Sequence, residues 1–311
     1  MWRSGWAERE VTNGQMLPAF TDEAVVHVLV GELWALLQGA DVADARTEAR
    51  DMVAALLDVS RLWPGMNPDA VVASDLAERA RSAARRRANG EPFAYAVGRA
   101  AFRYLTLSVD PRVLIPRQET EILVDIVLRE LGDAPGGVAV DVGTGSGAIA
   151  LALASESRLE RVIATDVSSD ALAVAGMNVE QLLPRLRARV ELRQGAGLGP
   201  VRNERLRAVV ANPPYIAFDE SAQLPSSVRD WEPPLALYAA DAGMANTIEL
   251  ISGAARLLEP GGLLAVELDS RRADAGAELA RADGRYERVA IHPDLSGRDR
   301  VLTARRRAES G

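Results

Sequence analysis

The stretch AVVANPPYI, residues 208–216, ends an apolar, β-branched run in Asn212, Pro213, Pro214 and Tyr215. Two prolines cannot continue a sheet, because each lacks an N–H and has a fixed φ. A rigid loop is expected instead, carrying two acceptors: the Asn212 side-chain oxygen and the Pro213 carbonyl. Such a pair suits the two N–H donors of a planar –NH₂ group, and the Tyr215 ring can stack on its plane. Accepting both protons draws the nitrogen toward tetrahedral geometry and aims its lone pair at an electrophilic carbon. Chemistry of this kind runs on positioning, desolvation and electrostatics. The same four residues also suit a plain rigid turn after a strand, so they need a neighbouring site to mean more.

That neighbour is VAVDVGTGSGAIALALA, residues 138–154, where a strand pattern ends at Asp141-Val142 and a helix pattern follows Gly143, Gly145 and Gly147. Glycines there let the backbone turn sharply and let a ligand approach, and free N–H groups at the helix start can meet its polar atoms. Asp166 closes the next strand pattern, RVIATDVS, 19 residues after Gly147. An ionised carboxylate at that place suits the two hydroxyls of a ribose. The spacing is G-x-G-x-G rather than the G-x-G-x-x-G of dinucleotide folds, which favours S-adenosylmethionine over NAD. An ordinary tight turn between strand and helix is the alternative. If the cofactor sits at the strand ends, the fourth strand of the run delivers Asn212 to Tyr215 to the same crevice.

Composition narrows the rest. The 311 residues are 48% hydrophobic and 26% charged, the balance of a soluble globular chain with a sizeable core. No apolar run reaches the roughly 18–20 residues that span a bilayer. The N-terminal stretch lacks the apolar centre of a signal peptide, so the cytoplasm is expected. The chain has no cysteine, which removes disulfides, thiolate nucleophiles and zinc–sulfur sites. His27 and His292 stand far apart, and no metal site is expected. There is no lysine, which excludes a P-loop or Schiff-base lysine. A net charge of −8 argues against a broad grip on DNA. The arginine-rich segment 79–87 reads as the solvated face of a helix.

The elements that must position these residues follow from periodicity. Helical spacing marks 21–39, where Thr21 and Asp22 read as a cap, then 44–60 and 69–87. Alternating apolar residues on either side of Asp110-Pro111 read as a β-hairpin. Beyond residue 118, short Val/Ile/Leu-rich runs alternate with helices at 119–131, 147–157, 169–181, 244–258 and 271–282. That alternation means a mostly parallel sheet covered on both faces. The last two runs are joined by only a short loop and should pair antiparallel. The expected division is a helical domain over 1–92, its first 20 or so residues a loose extension, then a hairpin linker over 93–118 and an α/β domain over 119–311.

Several stretches resemble the HemK/PrmC family of release-factor glutamine methyltransferases: GEPFAYAVGRAAF (90–102), VLIPRQETEILV (113–124), DVGTGSGAIALALA (141–154), ATDVSSDALAVAGMN (164–178), ANPPYI (211–216), EPPLALYAADAGM (232–244) and DRVLTARR (299–306). The likeness runs in the family's order from about residue 20 to 306. It implies a Rossmann-like class I S-adenosylmethionine-dependent methyltransferase domain, its seven-stranded sheet ending in an antiparallel strand, behind a helical substrate-recognition domain and a hairpin. It implies methylation of the glutamine amide nitrogen in the Gly-Gly-Gln loop of class 1 peptide-chain release factors, by a monomer that needs no metal, membrane or DNA.

By motif match, Asp141, Gly143, Thr144, Gly145, Ser146, Gly147, Asp166, Gly197 and Asn212 contact the cofactor. Asn212, Pro213, Pro214 and Tyr215 hold the amide, and Phe102 packs against the substrate side chain. Glu232 braces the loop over the pocket. Arg117, Glu119 and Glu121 suit hairpin-to-helix capping and ion pairing as well as substrate contact. There are departures: Gln118 stands where the family has Pro, VELDSRRAD where it has Glu-x-Gly, and Ala196-Gly197 where it has an Asp and a large residue beside the adenine. Gln194 or backbone groups are the expected substitutes. A ribosomal-protein glutamine methyltransferase, a DNA adenine-N6 methyltransferase and a non-catalytic cofactor-binding module are the competing readings. The linker IPRQETE, the acidic charge and the intact Asn212–Tyr215 stretch speak against each in turn.

Overall fold

The computed structural model describes residues 23–308. The capping pair Thr21 and Asp22 and the N-terminal extension lie outside the described residues. The chain forms two compact units, one ending at Ala88 and one beginning at Asn89.

In the first unit, β1 (Glu23–Val25) pairs antiparallel with β2 (Val71–Ala73), and three helices follow the apolar spacing: α1 (Val26–Gly39), α2 (Ala45–Leu57) and α3 (Ser74–Ala88). Val26, Leu29, Leu33 and Leu37 form the buried stripe of α1. Four buried alanines of α3 leave room for close helix approach. The helix expected over 69–87 begins later, at Ser74. β-branched Val71 and Val72 join a strand pair, and Ser74 with Asp75 suits a helix start. The arginine cluster lies in ion pairs within this unit, Arg81 with Glu32 at 2.8 Å and Arg87 with Glu48 at 2.7 Å.

The second unit opens with a short helical turn, Phe93–Val97, and a hairpin of β3 (Arg99–Phe102) and β4 (Leu105–Ser108). The hairpin closes at Arg103-Tyr104, not at Asp110-Pro111. Arg103 takes the left-handed conformation at φ 53°, and no Asn-Gly or Asp-Gly pair announces the turn in the sequence. Its guanidinium donates to Glu156 and Asp125, and its backbone N–H donates to Glu121. Those contacts hold the turn from outside.

Then follow α4 (Gln118–Leu131), β5 (Val138–Val142), α5 (Ala148–Glu156), β6 (Arg161–Asp166), α6 (Ser169–Leu182), β7 (Arg189–Gln194), β8 (Leu206–Ala211), α7 (Ala245–Leu257), β9 (Leu258–Glu267), α8 (Ala273–Ala282), β10 (Tyr286–Pro293) and β11 (Asp299–Arg306). The sheet order is β7-β6-β5-β8-β9-β11-β10. Neighbours from β7 to β9 run parallel, and β11 runs antiparallel between β9 and β10. The class I methyltransferase α/β fold with an antiparallel strand from the last pair is therefore present.

Parallel strands buried on both faces need apolar residues throughout, and residues 208–211 are fully buried. One face carries α4 and α5 with Leu123, Val127, Leu151 and Leu153, and the other carries Leu250, Ile251, Ala277 and Tyr286. Among the described residues no helix is long and apolar enough to cross a membrane.

Candidate active site

Because β5, β6, β7 and β8 run parallel, their C-terminal ends meet at one edge, where a cleft of about 440 Å³ opens. Its floor is Val142, Gly143 and Gly145, and its walls are Asp166 to Ser168, residues 195–198 and residues 212–214. Leu235, Tyr238 and Glu249 lie opposite.

The loop after β5 takes its shape from conformations only glycine adopts readily: Gly143, Gly145 and Gly147 have φ of 75°, 55° and 85°. Asp166 holds this loop with one oxygen, accepting from the Gly145 N–H at 2.9 Å, and its own turn with the other, accepting from the Ser168 N–H at 2.9 Å. A carboxylate offers about four lone-pair positions, so about two are left unused by these bonds on a residue that lines the cleft. The N–H groups of Gly143 and Thr144 both donate to the Thr165 carbonyl, so the acceptors Asp166 and the loop carbonyls are what could hold a ligand's hydroxyl or ammonium groups.

Beneath the loop, Asp141 is fully buried. One of its oxygens accepts from the Thr144 hydroxyl at 2.6 Å and from the Ala150 N–H at 3.1 Å. The other has no hydrogen-bond partner among the described residues. Burial pushes the carboxyl up to about 7, against the pull of Thr144 and Ala150.

Asn212 is the first residue beyond β8. Its side-chain nitrogen donates to the Thr120 hydroxyl at 2.9 Å, and that hydroxyl donates to Glu267 at 2.7 Å. Glu267 ends β9 and is 1% exposed; burial pushes its carboxyl up to about 7. The Pro214 carbonyl accepts from Asn246 at 3.3 Å, whereas no hydrogen bond reaches the Pro213 carbonyl among the described residues.

Downstream, Ile216 bridges to Tyr238, and the Tyr238 and Phe218 rings stack at 5.7 Å. Glu232, 4% exposed, accepts from Arg117 and from the Ile115 N–H at 3.4 Å, tying this excursion to the segment before α4. Gly243 sits at φ 85°, and a Cβ there would lie 2.2 Å from the Tyr215 carbonyl oxygen. Only glycine lets the two backbones approach so closely.

The cleft therefore brings together Gly143, Gly145, Asp166, Gly197, Asn212, Pro213 and Pro214. It does not bring in Asp141, Thr144, Ser146 or Gly147, which lie below the loop or at its helix end and shape it from behind. Phe102 is also elsewhere. It is 0% exposed and packs in the core with Leu107, Leu123 and Val127, so the substrate does not reach it in this conformation. Tyr215 is outside the cleft lining; its hydroxyl shares surroundings with Glu267, Asp269, Arg117 and Arg300, and burial raises its pKa. The aromatic surface on the cleft wall is Tyr238 instead. Gln194 donates to the Val167 carbonyl at 3.3 Å, and the backbone of 195–197 lines the wall in its place.

Arg117 and Glu121 serve as brace and turn cap, to Glu232 and to Arg103. Thr120, Asn178, Tyr238, Asn246 and Glu249 were not singled out by sequence. Asn178 is wholly buried, accepts from the Ser108 N–H at 2.7 Å, and donates to the carbonyls of Ser108 and Ser146. It welds hairpin, helix and glycine loop together; its only signal was an asparagine on the apolar face of a helix. Among the described residues no group of His, Asp or Glu is placed to hold a metal ion.

The PrmC N-terminal domain family matches residues 32–98, and the methyltransferase small domain family matches residues 118–224. A release factor glutamine methyltransferase of Moorella thermoacetica is 44% identical over 224 residues, 72% of this chain and 78% of that one. One from Nitratidesulfovibrio vulgaris is 34% identical over 294 residues, 94% of this chain and 98% of its own. Another, from Streptomyces coelicolor, is 38% identical over 274 residues, 87% and 94% of the two chains. Among solved structures, the hMettl16 catalytic domain superposes with a TM-score of 0.52 at 17% identity, over 78% of this chain and 87% of that one, a likeness of fold. On identity, coverage and domain order together, the chain belongs to the release factor glutamine methyltransferase family.

Proposed function

We propose that this protein transfers a methyl group from S-adenosylmethionine to the side-chain amide nitrogen of the glutamine in the Gly-Gly-Gln loop of class 1 release factors, in the cytoplasm. One observation carries the reading: Asn212 and Pro213 line the same cleft as Gly143, Gly145 and Asp166. An acceptor pair for a planar –NH₂ thus adjoins a pocket suited to a nucleoside. Family membership chooses glutamine over other –NH₂ groups.

When bound, S-adenosylmethionine supplies an electrophilic methyl group. The protein's own residues do the rest. Asp166, the carbonyls of Gly143 and Gly145, and the wall at 195–197 with Glu249 would hold the cofactor. The Asn212 side-chain oxygen and the Pro213 carbonyl accept the two amide N–H groups and fix the nitrogen in line, which favours its lone pair over amide resonance. The prolines keep that geometry without an ordering cost at each turnover. After methylation the cationic nitrogen gives its proton to solvent water, so no strong base is required before attack. The helical unit is read as the part that grips the body of the release factor.

The test is label transfer from tritiated S-adenosylmethionine to a purified release factor, its Gln-to-Ala loop variant, ribosomal proteins and duplex DNA. Label is expected on the release factor and not on the Ala variant. Label on DNA, or equal label on the Ala variant, overturns the reading. Asn212→Ala should lower kcat on the order of 100-fold or more while cofactor affinity changes by only a few fold.

A further inference from the structure

We propose that Thr120 is a positioning residue which, with Glu267 behind it, sets which end of the Asn212 amide faces the substrate. The inference rests on the reading above and deepens it.

An amide can sit in its site two ways, with oxygen or –NH₂ toward the cleft, and the two are nearly equal in shape. The choice matters here, because an –NH₂ turned inward would meet the substrate's own donors. Three elements settle it. Asn212 follows β8, Glu267 ends the neighbouring parallel strand β9, and Thr120 lies in the first turn of α4. Thr120 is 5% exposed and Glu267 1%, so the relay is shielded from water.

A hydroxyl has a single proton to give. Thr120 gives it to the Glu267 carboxylate at 2.7 Å and must then accept at 2.9 Å from Asn212. Only the –NH₂ end of the amide can donate. The Asn212 oxygen is therefore left for the cleft, where no group among the described residues takes it.

The relay depends on Glu267 being ionised. The surroundings of that carboxyl pull both ways: burial and Glu119 oppose the charge, whereas the Thr120 hydroxyl, Arg300 of β11 and Arg117 ahead of α4 favour it. Tyr215 shares the same surroundings. Once protonated, Glu267 can donate to Thr120, whose own proton is then free to turn toward Asn212 and attract its oxygen. The orientation is thus secure above neutrality and loosened below it.

The experiment uses the full chain with Thr120→Val, Thr120→Ser and Glu267→Gln. Without any substrate, the Asn212 side-chain –NH₂ resonances, assigned by their absence in Asn212→Ala, should shift with a midpoint near pH 7 in the wild type. They should not titrate in Glu267→Gln, and their exchange with solvent should be at least about tenfold faster in Thr120→Val. With release factor, Thr120→Val should lower kcat by about 10- to 100-fold, leaving KM and the calorimetric Kd for S-adenosylmethionine within about threefold. Thr120→Ser, which keeps the hydroxyl, should recover most of kcat.

A Thr120→Val kcat within about twofold of wild type, or resonances indifferent to Glu267→Gln, would overturn the proposal. If the wild type fails to label release factor, the functional reading falls, and the resonances still decide the relay.

Discussion

At the scale of single residues, the site is unusual in keeping two buried carboxyls that titrate near neutrality. Asp141 is raised from 3.8 to about 7 by burial, and Glu267 from 4.5 to about 7. The native protein holds the Asp141 proton until about pH 7, whereas the unfolded chain releases it near 4. The stability this contributes is therefore complete at low pH and lost as pH rises from about 4 to about 7, at no more than about 1.4 kcal/mol per pH unit. Asp141→Asn cannot titrate and should flatten that slope. In calorimetry between about pH 5 and about pH 7.5, the wild-type Tm should fall further than the variant's. Equal falls would remove Asp141 as a source. Some slope will persist in the variant, because Glu267 titrates in the same window.

At the scale of elements, the excursion between β8 and α7 does what a helix does elsewhere in such a sheet: it covers the strand end. It is held by point contacts, among them Glu232 on Arg117, Glu220 on Arg271 and Arg272, Asn246 on the Pro214 carbonyl and Gly243 against the Tyr215 carbonyl. Gly243→Ala puts a Cβ 2.2 Å from a backbone oxygen in a left-handed conformation and should cost on the order of 2 kcal/mol. A lower urea midpoint and faster amide exchange over 214–240 are expected, with kcat reduced. An unchanged midpoint and kcat would show that the contact is dispensable.

The same contrast explains what was legible beforehand. The helices after residue 118 begin and end within about two residues of the expected bounds, because amphipathic helices write their period directly. Gly143, Gly145, Asp166 and Asn212 are legible as cleft residues because their chemistry is local. Thr120, Asn178, Asn246 and Tyr238 were not, since each acts on a residue distant in sequence that only the topology brings near. Phe102 misled for the opposite reason: a motif position says nothing about which side of the core a ring enters. Arg103 hid the hairpin turn because its strained φ is held by three acids from two other helices.

At the scale of the whole molecule, every cleft-lining residue comes from the unit that begins at Asn89. A chain of residues 89–311 should therefore bind S-adenosylmethionine within about threefold of the full protein while losing most release-factor methylation. Calorimetry and the label assay read the two separately, and loss of cofactor binding would show that the cleft is not self-contained.

The strand order carries one more consequence, for assembly. β11 lies between β9 and β10 although it leaves the ribosome after both, so β10 has no neighbour in the sheet until β11 inserts. Val301 of β11 pairs with Glu267, and Arg300 stands next to it. The acid behind Thr120 thus gains its dry surroundings only when the last strand docks. The rise that burial gives the Glu267 carboxyl therefore belongs to the completed sheet.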